Sequence, residues 1–170
     1  MDMFKLIKLE AVGFILCVTS LLVAYIYFDL IEELQPCTLC VLDRYLLILM
    51  SFIFFIIVIS KRGFIFKTLN GTNLLLCVIG LISTIRHIWL QVFKDETALD
   101  GFGCGGGFFY YISTLPLLEA IKNIFNNPTP CNDVKWQLFG LSIPMYTFIL
   151  FLILIIIILK MFKSQKNVYE

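Results

Sequence analysis

Three strongly apolar stretches of this chain carry no charged residue: 11–28 over 18 residues, 68–85 over 18 and 138–159 over 22. A helix rises about 1.5 Å per residue, so each of these crosses or nearly crosses a hydrocarbon layer of about 30 Å. A helix also satisfies its own backbone hydrogen bonds where no water can. A fourth stretch, 45–60, offers 16 uncharged residues and spans only if 41–44 form its first turn. With 60% hydrophobic residues and a mean hydropathy of +0.94 over 170 residues, the chain reads as an integral membrane protein without room for a second large domain. The expected fold is all-α: a four-transmembrane-helix bundle forming a single membrane domain over 1–170. Its spans are placed at about 11–30, 41–60, 70–92 and 140–160, with outer loops at about 31–40 and 93–139. Lys5 and Lys8 precede the first span as in a signal peptide. Its apolar run exceeds a typical signal core and no A-x-A pattern follows, so it is read as an uncleaved anchor.

The net charge of +1 says little, whereas the placement of the charges orients the chain. Eight of 13 Lys and Arg fall on one side: Lys5, Lys8, Lys61, Arg62, Lys67, Lys160, Lys163 and Lys166. Only Lys94, Lys122 and Lys135 lie in the opposite loops. The positive-inside rule then places both termini and the 61–67 loop in the cytoplasm. Membrane lipid is the expected surrounding, and no nucleic-acid partner is expected.

Six cysteines divide cleanly on that topology. Cys17 and Cys77 lie inside apolar spans, where a thiol serves as a small core hydrophobe. Cys37, Cys40, Cys104 and Cys131 lie on the outer, oxidising side, where disulfides form. Four cysteines allow three connectivities, and adjacency favours Cys37 with Cys40, leaving Cys104 with Cys131. The second pair would close a loop with 26 residues between its cysteines, and a purely structural bridge of that size contributes about 3–4 kcal/mol. A CxxC bridge closes a tiny ring with little loop entropy to remove, which points to redox chemistry instead. Four thiols also satisfy the ligand count of a structural zinc site. Cys104 and Cys131 form no second CxxC and no paired His accompanies them, so no metal is expected.

Pro36 separates the acidic residues Asp29, Glu32 and Glu33 from the CxxC and lets a new helix begin near Cys37. Both thiols then fall in a first helical turn, where unpaired N–H groups and the helix dipole favour thiolate. Arg44 lies four residues beyond Cys40 on the same face, one turn deeper. A guanidinium there costs a few kcal/mol unless it is satisfied. The carbonyl oxygen of a lipid-soluble molecule would do so, and snorkelling to the surface is the alternative. Asp43 opposes that charge or pairs with another cation. His87 ends the third span beside Arg86, as a candidate for proton handling or for contact with the same molecule. In the outer loop, glycines at 101, 103, 105, 106 and 107 bracket Cys104 and leave it accessible. Leu117, Ile121, Ile124 and Phe125 recur at helical spacing, predicting a short interfacial helix that Pro128 and Pro130 end before Cys131.

The pattern Pro-Cys-x-x-Cys-x-x-x-Arg at 36–44, on four spans with a second cysteine pair in the last outer loop, resembles the DsbB-type disulfide bond formation proteins. The likeness continues through Arg86-His87-x-Trp-Leu-Gln, Cys104-Gly, Pro116-Leu-Leu-Glu119 and Cys131. It ends on Val134-x-Trp136-x-x-Phe-Gly-Leu-Ser-Ile-Pro144 and so covers nearly the whole chain. The resemblance implies a multi-pass protein of the bacterial inner membrane that re-oxidises a periplasmic DsbA-like thioredoxin-fold protein and reduces quinone, either ubiquinone or menaquinone. It further implies that the partner's thiolate attacks Cys104 to form an intermolecular disulfide and that Cys131 is the resolving member, exchanging with Cys37. Cys40 is then released towards the quinone, with Arg44 stabilising the charge and His87 as a weaker candidate contact.

Three other readings compete. A vitamin K epoxide reductase-like protein also joins a CxxC to a quinone, but its CxxC comes late in the chain. A specialised DsbB paralogue serving one dedicated partner would carry the same catalytic residues. A non-enzymatic four-span scaffold with structural disulfides would need neither Arg44 nor thiol exchange.

Overall fold

Apolar side chains surround the long helices on nearly every side, as a lipid-embedded helix requires. Ile15, Phe52, Leu75, Ile82 and Ile156 stand exposed on their outer faces. The computed structural model describes residues 2–34, 36–59, 64–92, 113–116, 118–119, 122, 134 and 136–169. Helix α1 (Asp2–Leu22) runs without a break into a π-helical segment, Val23–Ile31. It is followed by α2 (Thr38–Ile59), α3 (Phe64–Val92), a two-stranded hairpin of β1 (Gln137–Leu138) and β2 (Leu141–Ser142), and α4 (Ile143–Tyr169). Among the described residues, four helices are long and apolar enough to cross a membrane, over Leu9–Ile31, Thr38–Ile59, Ile65–Val92 and Ile143–Ser164. The expected all-α architecture of four membrane helices is therefore present. The expected interfacial helix near 108–125 falls largely outside the described residues.

Helix α1 packs on α2 and α4, and α3 packs on the same two, so the helices close a four-sided bundle. Its core is a column of Cys17, Met50, Phe54, Phe66, Cys77, Phe151, Leu154, Ile158 and Met161. Two glycines set close helix approaches along that column. A Cβ on Gly13 would lie 2.8 Å from the Phe54 ring, and one on Gly80 would collide with the Phe151 ring. Among small residues, only glycine lets those rings lie against a neighbouring backbone.

Two departures from the pattern of uncharged stretches position the outer end of the bundle. The first helix does not stop at the acidic residues but carries Asp29 inside its widened final turns, where Glu32 N–H reaches Tyr27 O at 3.0 Å. Glu33, at φ 51°, then turns the chain away. The stretch beginning at 138 opens as a hairpin rather than a helix, because Phe139 (φ 50°) and Gly140 (φ 77°) form a two-residue turn with both residues left-handed. Helix α4 starts only after it, with Pro144 in its first turn, where a missing N–H costs nothing. Ser142 Oγ donates to Gln91 Oε1 at 2.7 Å, tying the hairpin to the end of α3.

Candidate functional site

The residue before α2 is Cys37, whose carbonyl accepts the Val41 N–H at 3.0 Å and so opens the helix. Its side chain does the work that Ser or Asp does at other helix starts: the Cys40 N–H points at Cys37 Sγ over 3.4 Å. The two sulfurs lie 3.1 Å apart, with Cys37 buried and Cys40 half-buried. A backbone donor aimed at a sulfur, at the positive end of a helix, is the setting in which a thiolate attacks or leaves.

Helix α3 supplies the third member. His87 is buried, its Nε2 3.7 Å from Cys37 Sγ and its Nδ1 3.9 Å from Cys40 Sγ. One imidazole therefore faces both sulfurs, one ring nitrogen towards each. Behind it lie Asp43 and Ser83, both buried, with Ser83 beside the Asp43 carboxylate. Asp43 faces α3 and the histidine rather than Arg44, its neighbour in sequence. The Cys37, Cys40 and His87 ligating atoms lie within 4.8 Å of one another, which is three of the four ligands of a closed zinc site. The four-cysteine zinc alternative turns on Cys104 and Cys131, which lie outside the described residues along with the glycine-rich 101–107 segment.

Arg44 neither snorkels nor waits for a ligand to satisfy it. Its Nη1 and Nη2 donate to Asp29 Oδ2 and Oδ1 at 2.5 and 2.8 Å, a two-pronged ion pair. Nη2 also reaches the Ala24 carbonyl at 3.3 Å, and the guanidinium lies 4.9 Å from the centre of the Tyr25 ring. All three partners belong to the end of the first span. The π-helical turns turn the Ala24 carbonyl to a side chain from another helix, a common circumstance of such widenings. Sequence reasoning missed Asp29 as a partner. Two antiparallel spans joined by a short loop bring residues at similar distances from that loop to one depth, and this was the signal available.

Cys37, Cys40, Asp43, Arg44 and His87 all open onto one cavity of about 480 Å³ between α1, α2 and α4, with the outer end of α3 as its floor. The rest of its wall is mainly apolar, including Leu16, Val23, Leu47, Ile143 and Leu150. Trp136 stands at its outer end, edge-on to Phe28 at 5.0 Å and 6.3 Å from Tyr146, linking the first span to α4. A greasy cavity of this size with a few convergent polar groups has the form of a small-molecule site.

A family model, "Disulfide bond formation protein DsbB", matches residues 8–161. The chain belongs to the DsbB family. It is 31% identical over 143 residues to "Disulfide bond formation protein B" of Nitrosococcus oceani, covering 84% of this chain and 82% of that one. It is 34% identical over 152 residues to the protein of the same description from Polaromonas naphthalenivorans, covering 88% and 85%. The corresponding protein of Saccharophagus degradans is 34% identical over 139 residues, covering 81% and 82%. No solved structure gives a significant match. Membership of the DsbB family makes this a multi-pass membrane oxidoreductase with a role in disulfide bond formation.

Proposed function

We propose that the chain oxidises a periplasmic thioredoxin-fold protein of DsbA type and delivers the electron pair to membrane quinone. In bacteria a DsbA–DsbB–quinone route is what keeps the periplasm oxidising. The observation that carries the reading here is the opening of the Cys37–Cys40 pair, beside His87 and Arg44, onto an apolar cavity. A structural disulfide has no use for that cavity, and an enzyme that exchanged thiols only with soluble proteins would have no use for its grease.

Cys104 accepts the partner's thiolate, and Cys131 is displaced as the leaving thiolate. The partner's second thiol then releases Cys104, so that the partner leaves oxidised and the Cys104–Cys131 pair reduced. That dithiol passes its electrons to the Cys37–Cys40 disulfide by two further exchanges: Cys131 attacks Cys37 and frees Cys40, and Cys104 then attacks Cys131, closing the Cys104–Cys131 disulfide and freeing Cys37. His87, facing both sulfurs, takes and returns the thiol protons. Arg44 holds negative charge at the cavity wall. A bound quinone supplies the acceptor of two electrons and two protons, so that partner dithiol and quinone become partner disulfide and quinol. The inner membrane, cytoplasmic termini and a single membrane domain complete the reading, on the distribution of Lys and Arg.

The test is reconstitution of the purified protein with reduced partner and quinone. Wild type should oxidise the partner with stoichiometric quinol formation. Cys104→Ser should abolish exchange with the partner, and Cys40→Ser should retain exchange but form no quinol. Full quinone-coupled turnover in either variant would defeat the assignment and favour the scaffold.

A further inference from the structure

The cation at the cavity wall is already paired, and its partner sits behind it. Arg44 lines the cavity together with Ala24, whereas Asp29 is not among the described residues lining it. Asp29 nonetheless takes a donor from each terminal nitrogen of the guanidinium. The third contact, to the Ala24 carbonyl, fixes the plane of the group against the first span. Arg44 follows Cys40 by one turn of α2 and lines the same cavity, so the two charges interact. The sulfur therefore feels the whole pair.

We propose that Asp29 is a positioning residue for this site: it anchors the Arg44 guanidinium to the first span and offsets its charge, so that Cys40 faces an ion pair in place of a bare cation. This rests on the reading of the cavity only in making Cys40 the sulfur that meets the acceptor. The field at that sulfur has few other sources among the described residues. Cys37, Asp43 and Arg44 face it from α2 and its cap, His87 from α3, Tyr146 from α4, and Asp29 and Tyr25 from the first span through Arg44. Of the acidic groups, Asp29 is the one that hydrogen-bonds Arg44. Removing its charge while keeping its oxygen leaves the guanidinium held but uncompensated. Negative charge on the Cys40 sulfur then becomes easier to form.

The experiment measures iodoacetamide labelling of Cys40 at neutral pH, resolved by peptide mass spectrometry, in reduced, quinone-free, full-length protein. Asp29→Asn should speed labelling by about three- to tenfold, since one charge a few ångströms behind the guanidinium is removed in a medium of intermediate dielectric. Asp29→Ser should move the rate in the same direction, and Arg44→Gln should lower it. In the Arg44→Gln background, Asp29→Asn should lose most of its effect, which separates action through Arg44 from action on the sulfur directly. Cys17 and Cys77, buried in the bundle core, serve as internal controls, because a loosened fold would expose them too. Labelling in Asp29→Asn at or below the wild-type rate, or an acceleration that persists without Arg44, would overturn the proposal. A wild type that labels as expected yet reduces no quinone would count against the proposed function and leave this inference standing.

Discussion

His87 Nε2 lies 3.7 Å from the sulfur of Cys37, a residue 50 positions earlier in the chain. The other ring nitrogen faces Cys40 at 3.9 Å. A thiol pair that forms and breaks a disulfide must lose and regain protons, and this ring reaches both sulfurs without moving. Replacing it by alanine should slow partner oxidation about a hundredfold, the lower end of what a positioned acid–base group supplies. Stopped-flow thiol oxidation across a pH series would check this. A rate within a factor of two of wild type at every pH would reduce His87 to a packing residue.

The four spans were legible because hydrocarbon imposes length and apolarity together, and no soluble fold needs 22 uncharged residues in a row. The Cys37–Cys40 pair and Arg44 were legible because their spacing is local: a helix start fixes which face each residue takes. What was not legible depended on contacts between helices. His87 stood out only as a histidine near a span end, and nothing in its neighbourhood told which sulfur it would meet. Asp43 reads only as an acid that opposes the Arg44 charge or pairs with another cation; neighbours on a helix point about 100° apart, and it turns to α3. Asp29 looked like a surface acid because the widening of the first helix, which carries it to Arg44, has no marker in the residues from 23 to 31.

The Arg44–Asp29 pair rests on two parallel hydrogen bonds, and lysine cannot reproduce that fork. Arg44→Lys should keep the charge but lose one of the two bonds and the stacking on Tyr25, destabilising the partly buried pair by about 1–2 kcal/mol. Thermal unfolding in detergent gives that cost. Quinone kinetics should show a raised KM, and any visible charge-transfer absorption between the Cys40 thiolate and bound quinone should weaken. An unchanged spectrum and KM would mean that charge alone, without geometry, is what the site uses.

Cys17 and Cys77 are both fully buried and not disulfide-bonded, and Cys77 Sγ lies 3.8 Å from Met50 Sδ in the bundle core. Packing, not redox chemistry, is their role in this geometry. Changing both to alanine should leave the rate of partner oxidation unchanged and lower stability by about 1–2 kcal/mol through small cavities. Loss of turnover in a variant that still folds would show a third redox pair inside the membrane.

Thr147 lies on α4 at the cavity wall, and its hydroxyl is spent on the Ile143 carbonyl one turn back at 3.1 Å. Nothing in the exchange steps uses it. Phenylalanine at this position keeps the helix, gives up a minor bond and pushes a ring into the space of about 480 Å³. If that space receives the acceptor, Thr147→Phe should raise the KM for quinone about tenfold or more, because a ring occupies volume that the ligand needs. The same variant should exchange thiols with the reduced partner at the wild-type rate in a single turnover, since the proposed exchange with the partner takes place at the Cys104–Cys131 pair and does not involve the acceptor. Measuring both rates on one preparation separates the two halves of the reaction. Equal losses in both would mean that the substitution disturbs the bundle as a whole. An unchanged KM with the ring in place would move the acceptor to another face of the protein.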